Sequence, residues 1–306
     1  QDERGADRGD NSVPRVRSES VMSFSVAIPT PGGPFAIDVA LGSSVIFVGA
    51  NGGGKTRLAV LLEDALKLSA HRISAHRQLT LNPSVPKIGE SHALAGLRVG
   101  YATAGEDVNY RGGHRWKSDA AVALLSDYDF LLQALFAEQT NKALITHTRV
   151  RAGDRGDADP TKFEQLAEMW ERLLPHRKLE ITGDDIRVGF PGLVPWYPAS
   201  AMSDGERAIF YMIGQVLTAS ANSLLIVDEP ELHVHRSIMS KLWDELEAAR
   251  PDCAFAFITH DLEFAATRVA QKFVLRDYLP TPQWTLEAVP KDAGFSEEIA
   301  TLLRFT

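Results

Sequence analysis

Gly49-Ala-Asn-Gly-Gly-Gly-Lys-Thr56 satisfies the spacing G-x-x-x-x-G-K-S/T, and each residue type in it serves the binding of a phosphate chain. The glycines let backbone N–H groups wrap an anion at a helix N-terminus, Lys55 supplies a point charge to the outer phosphates, and Thr56 offers a hydroxyl to Mg²⁺. Gly49, Asn51, Gly52, Gly53, Gly54, Lys55, Thr56 and the following Arg57 are therefore the candidate phosphate-binding set. A second constellation is Leu224-Leu-Ile-Val-Asp-Glu-Pro230, which puts two carboxylates at the end of an apolar run. Asp228 is the metal-side acid, and Glu229 is left free to polarise or deprotonate a water. An acidic strand end by itself is more often a loop start or a helix cap. The glycine loop is what turns this pair toward phosphoryl chemistry.

Ser203-Asp-Gly-Glu206 precedes an apolar helical pattern through Ile209, Phe210, Ile213, Val216 and Leu217. S-x-x-E at that place is a capping box, in which Ser203 and Glu206 satisfy the first helical N–H groups. The same helix end, with Ser203 and Gly205, also suits a phosphate brought by another molecule. Ile258-Thr-His-Asp261 places His260 beyond a further apolar run. Glu231, His233 and His235 could be taken as metal ligands. Without a further compact ligand set, they read better as a structural or nucleotide-side feature.

These groups need elements to hold them. Phe24 to Val48 reads as strands around the turn Pro29–Pro34, and Ser43–Val48 runs straight into the glycine loop. Leu58, Leu61, Leu62, Ala65 and Leu66 then recur at helical spacing. Helical periodicity returns over Ser118–Glu138 and Thr161–Leu174, and Leu179–Phe190 reads as a hairpin around Gly183-Asp184. Ser223–Val227 and Ala254–Ile258 have the continuous apolar character of strands covered on both faces. The uncharged stretch Ala208–Val227 is long enough to cross a bilayer, but Thr218–Ser223 interrupts it with turn formers, so a buried helix followed by a buried strand is expected.

The chain has 306 residues and a formal charge of −8, which gives no global field toward nucleic acid or an anionic membrane. Its single cysteine, Cys253, rules out an internal disulfide or a cysteine-based zinc site. Residues 1–20 are charged and poor in apolar side chains, and read as a poorly anchored arm. The expected organisation is that arm, a first part of the core at 21–80, an inserted and largely helical lobe with a hairpin at 81–200, and the rest of the core at 201–306. Two basic stretches fall in the lobe, Asn109–Lys117, with Tyr110 and Trp116 interleaved, and Thr148–Arg155. They could contact DNA or RNA phosphates, dock an acidic protein surface, or be solvated loops.

The order of these motifs resembles that of the ABC-type ATPase superfamily: Walker A, Q-loop, signature helix, Walker B and switch histidine. Asp228-Glu-Pro-Glu-Leu-His-Val-His235 is similar to the D-E-P-E-x-H-x-H run of the non-transporter branch that includes RecF-like and OLD-like ATPases. The resemblance implies an α/β ABC-type P-loop head with a mainly parallel core sheet, an N-terminal antiparallel β portion and an inserted helical lobe. It implies ATP and Mg²⁺ as cofactors, Glu229 as catalytic base and His260 as the contact to the γ-phosphate. Thr56, Asp228 and the Q-loop residue would serve the metal. That residue is Gln78 or its neighbour Arg77, in Ile73-Ser-Ala-His-Arg-Gln78. The signature departs from the commonest form, with Asp204 where a second glycine often stands, while Ser203, Gly205 and Glu206 match.

The resemblance further implies that Ser203, Gly205 and Glu206 close over ATP held by a second copy. A homodimer or higher homo-oligomer with composite ATP sites follows, with Arg207 as a candidate arginine finger. Among the branch's members, the chain resembles ATPase subunits of anti-phage systems such as PARIS, in which a cytoplasmic head restrains or releases a nuclease-like effector on another chain. The alternative is a RecF-like DNA repair or maintenance ATPase that clamps nucleic acid directly. A membrane partner is not expected. Asp277, Glu287, Glu297 and Glu298 are scattered, so no nuclease constellation is expected on this chain.

Overall fold

The computed structural model describes residues 22–289 apart from 104, 118, 193, 194 and 280. The arm at 1–20 and the acids Glu297 and Glu298 lie outside the described residues. The chain starts with an antiparallel pair, β1 (Ser23–Ile28) and β2 (Phe35–Ala40), around the expected proline turn. Phe24, Val26 and Ile28 of β1 alternate inward and meet Ile37 and Val39 of β2. Next come β3 (Ser44–Gly49), the glycine loop, α1 (Lys55–Leu66) and β4 (Ala70–Ile73).

The middle of the chain holds α2 (Glu90–Val99), α3 (Val108–His114), α4 (Tyr128–Arg151) and α5 (Lys162–Leu173). A small antiparallel sheet follows, of β5 (Lys178–Ile181), β6 (Ile186–Gly189) and β7 (Tyr197–Pro198). The chain then returns to the core with α6 (Asp204–Thr218), β8 (Leu224–Asp228), α7 (Arg236–Ala249) and β9 (Ala254–Thr259). α8 (Leu262–Thr267) and the hairpin of β10 (Gln271–Leu279) and β11 (Gln283–Ala288) complete it.

The main sheet has the order β11-β10-β3-β9-β8-β4, with every neighbouring pair parallel except β10 and β11. This is the mainly parallel core with a separate antiparallel β part and helices that the sequence predicts. The alternating faces of β3 explain why its run is wholly apolar. Val45 and Phe47 face a core shared with β1, β2 and α1. Ile46 and Val48 face a larger core that also contains α4, α5, α6 and α7. The middle helices thus share one apolar core with the head. The stretch Ala208–Val227 is a helix and then a strand, and among the described residues no helix is long and apolar enough to cross a membrane.

Two helical expectations need correction. The helix expected from Ser118, a residue outside those described, begins only at Tyr128. Leu125 instead pairs with Arg77: its N–H donates to the His76 carbonyl at 2.9 Å and its carbonyl accepts from Gln78 N–H at 2.8 Å. Those bonds take the groups a helix would need, so a tertiary contact overrides the local periodicity. At its other end α4 runs on to Arg151, so Thr148–Arg155 is a helix end and its following turn.

Candidate active site

Parallel register brings the ends of β3, β8 and β9 to one edge: Val48 lies beside Thr259, and Asp228 beside Ile258. The edge where parallel strands end is where an open α/β sheet collects ligands. Beyond β3, Gly52 (φ +88°) and Gly54 (φ +75°) take left-handed conformations that an L side chain rarely adopts. Gly54 caps α1 without any side chain, which leaves the first N–H groups of that helix to an incoming anion. Lys55 is buried, and its Nζ lies 3.2 Å from each of Gly49 O, Ala50 O and Asn51 Oδ1. The ammonium therefore spans the loop, and among the described residues its hydrogen-bond partners are neutral oxygens.

Asp228 is fully buried, and apart from the adjacent Thr56 hydroxyl neither carboxylate oxygen has a hydrogen-bond partner among the described residues. Burial pushes its carboxyl up to about 6, against the pull of the Arg72 guanidinium and the Thr56 hydroxyl. Two otherwise unpartnered oxygens of a buried acid beside a threonine hydroxyl match the oxygen-ligand demand of a hard divalent cation. Asp228 and Thr56 thus fit Mg²⁺.

Glu229 stands at φ +51°, a strained conformation for a non-glycine residue, with its N–H held by Ile258 O at 2.8 Å. His260 Nδ1 lies 3.8 Å from Glu229 Oε1 and 2.9 Å from Glu231 Oε1. Glu231 Oε1 also accepts from the Thr259 hydroxyl at 2.7 Å and the His260 N–H at 3.2 Å. Glu231 is the anchor of His260, a role its place in the sequence run did not reveal.

The two candidates in the Ile73–Gln78 segment separate clearly. Arg77 is buried, donates to Ser74 O at 2.6 Å and to Leu232 O at 3.4 Å, and lies over the Tyr211 ring. Burial pushes its guanidinium down, opposed by attraction to Tyr211, Asp127, Asp228 and Glu229. Gln78 is exposed, and its backbone N–H is spent on Leu125. Sequence reading also missed Arg72, a fully buried guanidinium in β4 that donates to Glu63 Oε2 at 3.0 Å and feels the charge of Asp228. The available signal was a charged pair, His71-Arg72, inside a four-residue strand.

Ser203 and Glu206 form the full capping box of α6. Glu206 is further engaged by Arg177 at 2.9 Å and by the Tyr197 hydroxyl at 3.1 Å. A Cβ on Gly205 would lie 3.3 Å from His233 O, so this helix end packs against the turn after Glu229. Among the described residues, no hydrogen bond or ion pair joins Ser203, Gly205 or Glu206 to the glycine loop. Arg207 pairs with Asp204 and reaches Ser200 O. His235 caps α7 through the Ser237 N–H, and among the described residues no cluster of three His, Cys, Asp or Glu could hold a metal.

The interleaved basic stretch Asn109–Lys117 requires a correction. Trp116 is buried under the Arg72 guanidinium, 3.9 Å from its ring centroid, and cannot stack a base. Arg111 and Arg115 are buried as well, bound to the carbonyls of Glu63, Lys67, Leu97 and Arg72. Tyr110 and His114 keep exposed rings.

With this geometry in place, residues 186–266 match a protein-family profile described as "AAA domain, putative AbiEii toxin, Type IV TA system". That match spans the capping box, Asp228, Glu229 and His260. It does not reach the glycine loop. No curated protein matches the chain. Among solved structures, the chain is similar to a nucleotide-free ATP-binding cassette of an ABC transporter, at 13% identity and a TM-score of 0.42, covering 93% of this chain and 96% of that one. It is also similar to an Smc head bound to the C-winged helix domain of ScpA, at 13% identity, a TM-score of 0.45 and coverage of 89% and 98%. A third is the ADP conformation of an ABC transporter cassette, at 11% identity, a TM-score of 0.44 and coverage of 93% and 98%.

Proposed function

We propose that this chain is a Mg²⁺-dependent ATPase of the ABC type, whose ATP-driven pairing with a second copy controls a partner effector in prokaryotic anti-phage defence. The observation that carries the ATPase reading is the meeting, at the ends of β3, β8 and β9, of a lysine-bearing glycine loop with a buried Asp228, unpartnered apart from Thr56, and a strained Glu229.

Lys55 exchanges its three neutral loop oxygens for the oxygens of the outer phosphates, while the free N–H groups of α1 take the rest of the charge. Thr56 and Asp228 would hold Mg²⁺, which neutralises phosphate oxygens during transfer. Glu229 accepts a proton of the attacking water, its carboxylate aimed by a backbone conformation fixed through Ile258. His260, held by Glu231, stands beside it to meet the terminal phosphate. Arg77 braces this arrangement by holding Leu232 O, in the turn that follows Glu229.

Pairing follows from the exposed capping box. A γ-phosphate presented by a second copy would compete with Glu206 for the Ser203 hydroxyl, and Glu206 would keep Arg177 and Tyr197 as partners. ATP would favour the closed pair and hydrolysis would open it. The defence assignment draws on the branch resemblance and on the toxin description of the matched profile. Burial of Trp116, Arg111 and Arg115 weighs against the RecF-like clamp, because it takes these side chains out of the surface that would have met nucleic acid.

Glu229→Gln tests this reading. The variant is expected to bind ATP as tightly as the native protein, lose about 10²–10⁴ in turnover and accumulate as a dimer. Lys55→Ala should instead weaken binding itself. Hydrolysis at the native rate in Glu229→Gln would overturn the assignment of the base.

A further inference from the structure

The hydrolytic groups stand on one flank of β3. In the sheet order β10-β3-β9-β8, His260 follows β9 while Asp228 and Glu229 end β8. A nucleotide lying in the glycine loop with its terminal phosphate toward those groups must send its sugar and base away from them. That direction is the flank of β10 and β11.

This flank carries flat aromatic surface against the loop. Tyr278 and Trp284 are cross-strand partners in the β10–β11 hairpin, with ring centroids 5.1 Å apart. A break in register between Leu275 and Tyr278 re-aims the strand just before the tyrosine. The Trp284 indole N–H donates to Gly54 O at 3.1 Å. A Cβ placed on Gly54 would lie 2.6 Å from Tyr278 Cβ, so the pair is packed directly on the N-terminus of α1. The exposed Arg57 guanidinium, in the first turn of that helix, lies 5.2 Å from the centroid of the Tyr278 ring.

We propose that Tyr278, together with Arg57, is the shelf on which the nucleobase stacks, a role that rests on the ATP reading above. Aromatic rings and guanidinium planes both stack on bases, and such stacking tolerates different bases because each has a π-face. The Trp284 bond to Gly54 locks the shelf to the phosphate loop, so base and phosphates are held at one fixed separation. The sheet order thus sets the side on which the base lies, and the two planar side chains supply its grip.

Calorimetric titration of the full chain with Mg-ATP and with Mg-tripolyphosphate, which has phosphates and no base, tests the shelf. Tyr278→Leu keeps bulk against Gly54 without a ring, and Tyr278→Phe restores the ring. Tyr278→Leu is expected to lose about tenfold in ATP affinity with tripolyphosphate affinity unchanged, and Tyr278→Phe to bind ATP like the native protein. Equal weakening of both ligands in Tyr278→Leu, or no weakening of either, overturns the shelf. If Lys55→Ala still abolishes ATP binding in that second case, the ATP reading stands and the shelf alone falls. A native chain that binds neither ligand overturns both.

Discussion

Asp228→Asn is expected to stabilise the metal-free protein at alkaline pH. Desolvation, with a smaller push from Glu229, holds this carboxyl at about 6 against its ordinary 3.8, while Arg72, Thr56 and Lys55 pull it the other way. A rise of about two units at ~1.4 kcal/mol per unit corresponds to ~3 kcal/mol. The folded protein holds this proton more tightly than the unfolded chain does. Its contribution is therefore fully present below about 3.8, is lost as pH rises through about 6, and stays lost above that. Asp228 is fully buried, so solvent screening takes nothing from the figure. An asparagine never ionises, and the variant should gain up to ~3 kcal/mol at pH 8 and almost nothing at pH 4. Urea unfolding in EDTA, followed by tryptophan fluorescence from pH 4 to 8, measures the difference. Adding Mg-ATP should then stabilise the native protein more than the variant, since the acid that would hold the metal is gone. A variant less stable than the native protein at pH 8 in EDTA, or a gain of equal size at both ends of the pH range, would refute the reasoning.

Arg77→Met should lower ATP turnover at least tenfold, with Gln78→Ala within twofold of native, because Arg77, unlike Gln78, holds the turn after Glu229; steady-state phosphate release decides between them. Arg111→Met should cost ~3 kcal/mol of stability, read from the urea midpoint, because it takes a cation away from the buried Glu63. A fall in DNA retention at unchanged stability would instead return that stretch to the surface reading. Ser203→Ala should lose ~1 kcal/mol even without nucleotide, while Ser203→Asn keeps the cap, so ATP-driven dimerisation lost in both variants, measured by light scattering, would separate phosphate docking from capping.

The parts of this molecule that were legible in the sequence are those whose cause is local. The glycine loop, the apolar strands on either side of the site and the capping box each owe their form to residues within a few positions, and all stand where the pattern puts them. The start of α4 was not legible, because Leu125 gives its backbone bonds to a segment some fifty residues earlier. The buried arginines were misread for a related reason. Charge in a short polar stretch suggests solvent, and only the assembled core shows that Arg111 and Arg115 end on backbone carbonyls of α1, α2 and β4 and the turn after α1. The bond of Glu231 to His260 and the packing of Tyr278 on Gly54 were not legible, because those partners are set by sheet order rather than by spacing.

The buried polar groups also explain why the inserted helices cannot be a detachable accessory. Glu63 of α1 is held by Arg72 at 3.0 Å and by Arg111 of α3 at 3.6 Å. Arg115 joins the Arg72 carbonyl at 2.8 Å to Asp127, at the start of α4, at 3.4 Å. Asp127 accepts from the Tyr211 hydroxyl at 2.8 Å and from Gln215 Nε2 at 3.2 Å, both on α6. Because Gln215 gives its amide to Asp127, its oxygen must accept from His71 Nε2 at 2.7 Å. Burial, helped by repulsion from Arg115, keeps that imidazole neutral by lowering its pKa well below the usual value. A continuous path of charges and amides therefore runs from the helix behind the phosphate loop, through the lobe, to the helix whose capped end would meet a second copy. Stranding one member of such a network costs ~3–5 kcal/mol, a large share of a domain's net stability. The network can keep its arrangement or exchange it as a whole, but partial opening is too costly to persist. α6, the middle helices and α1 are thus tied by one set of buried polar bonds, which makes those helices part of the core rather than an appendage to it.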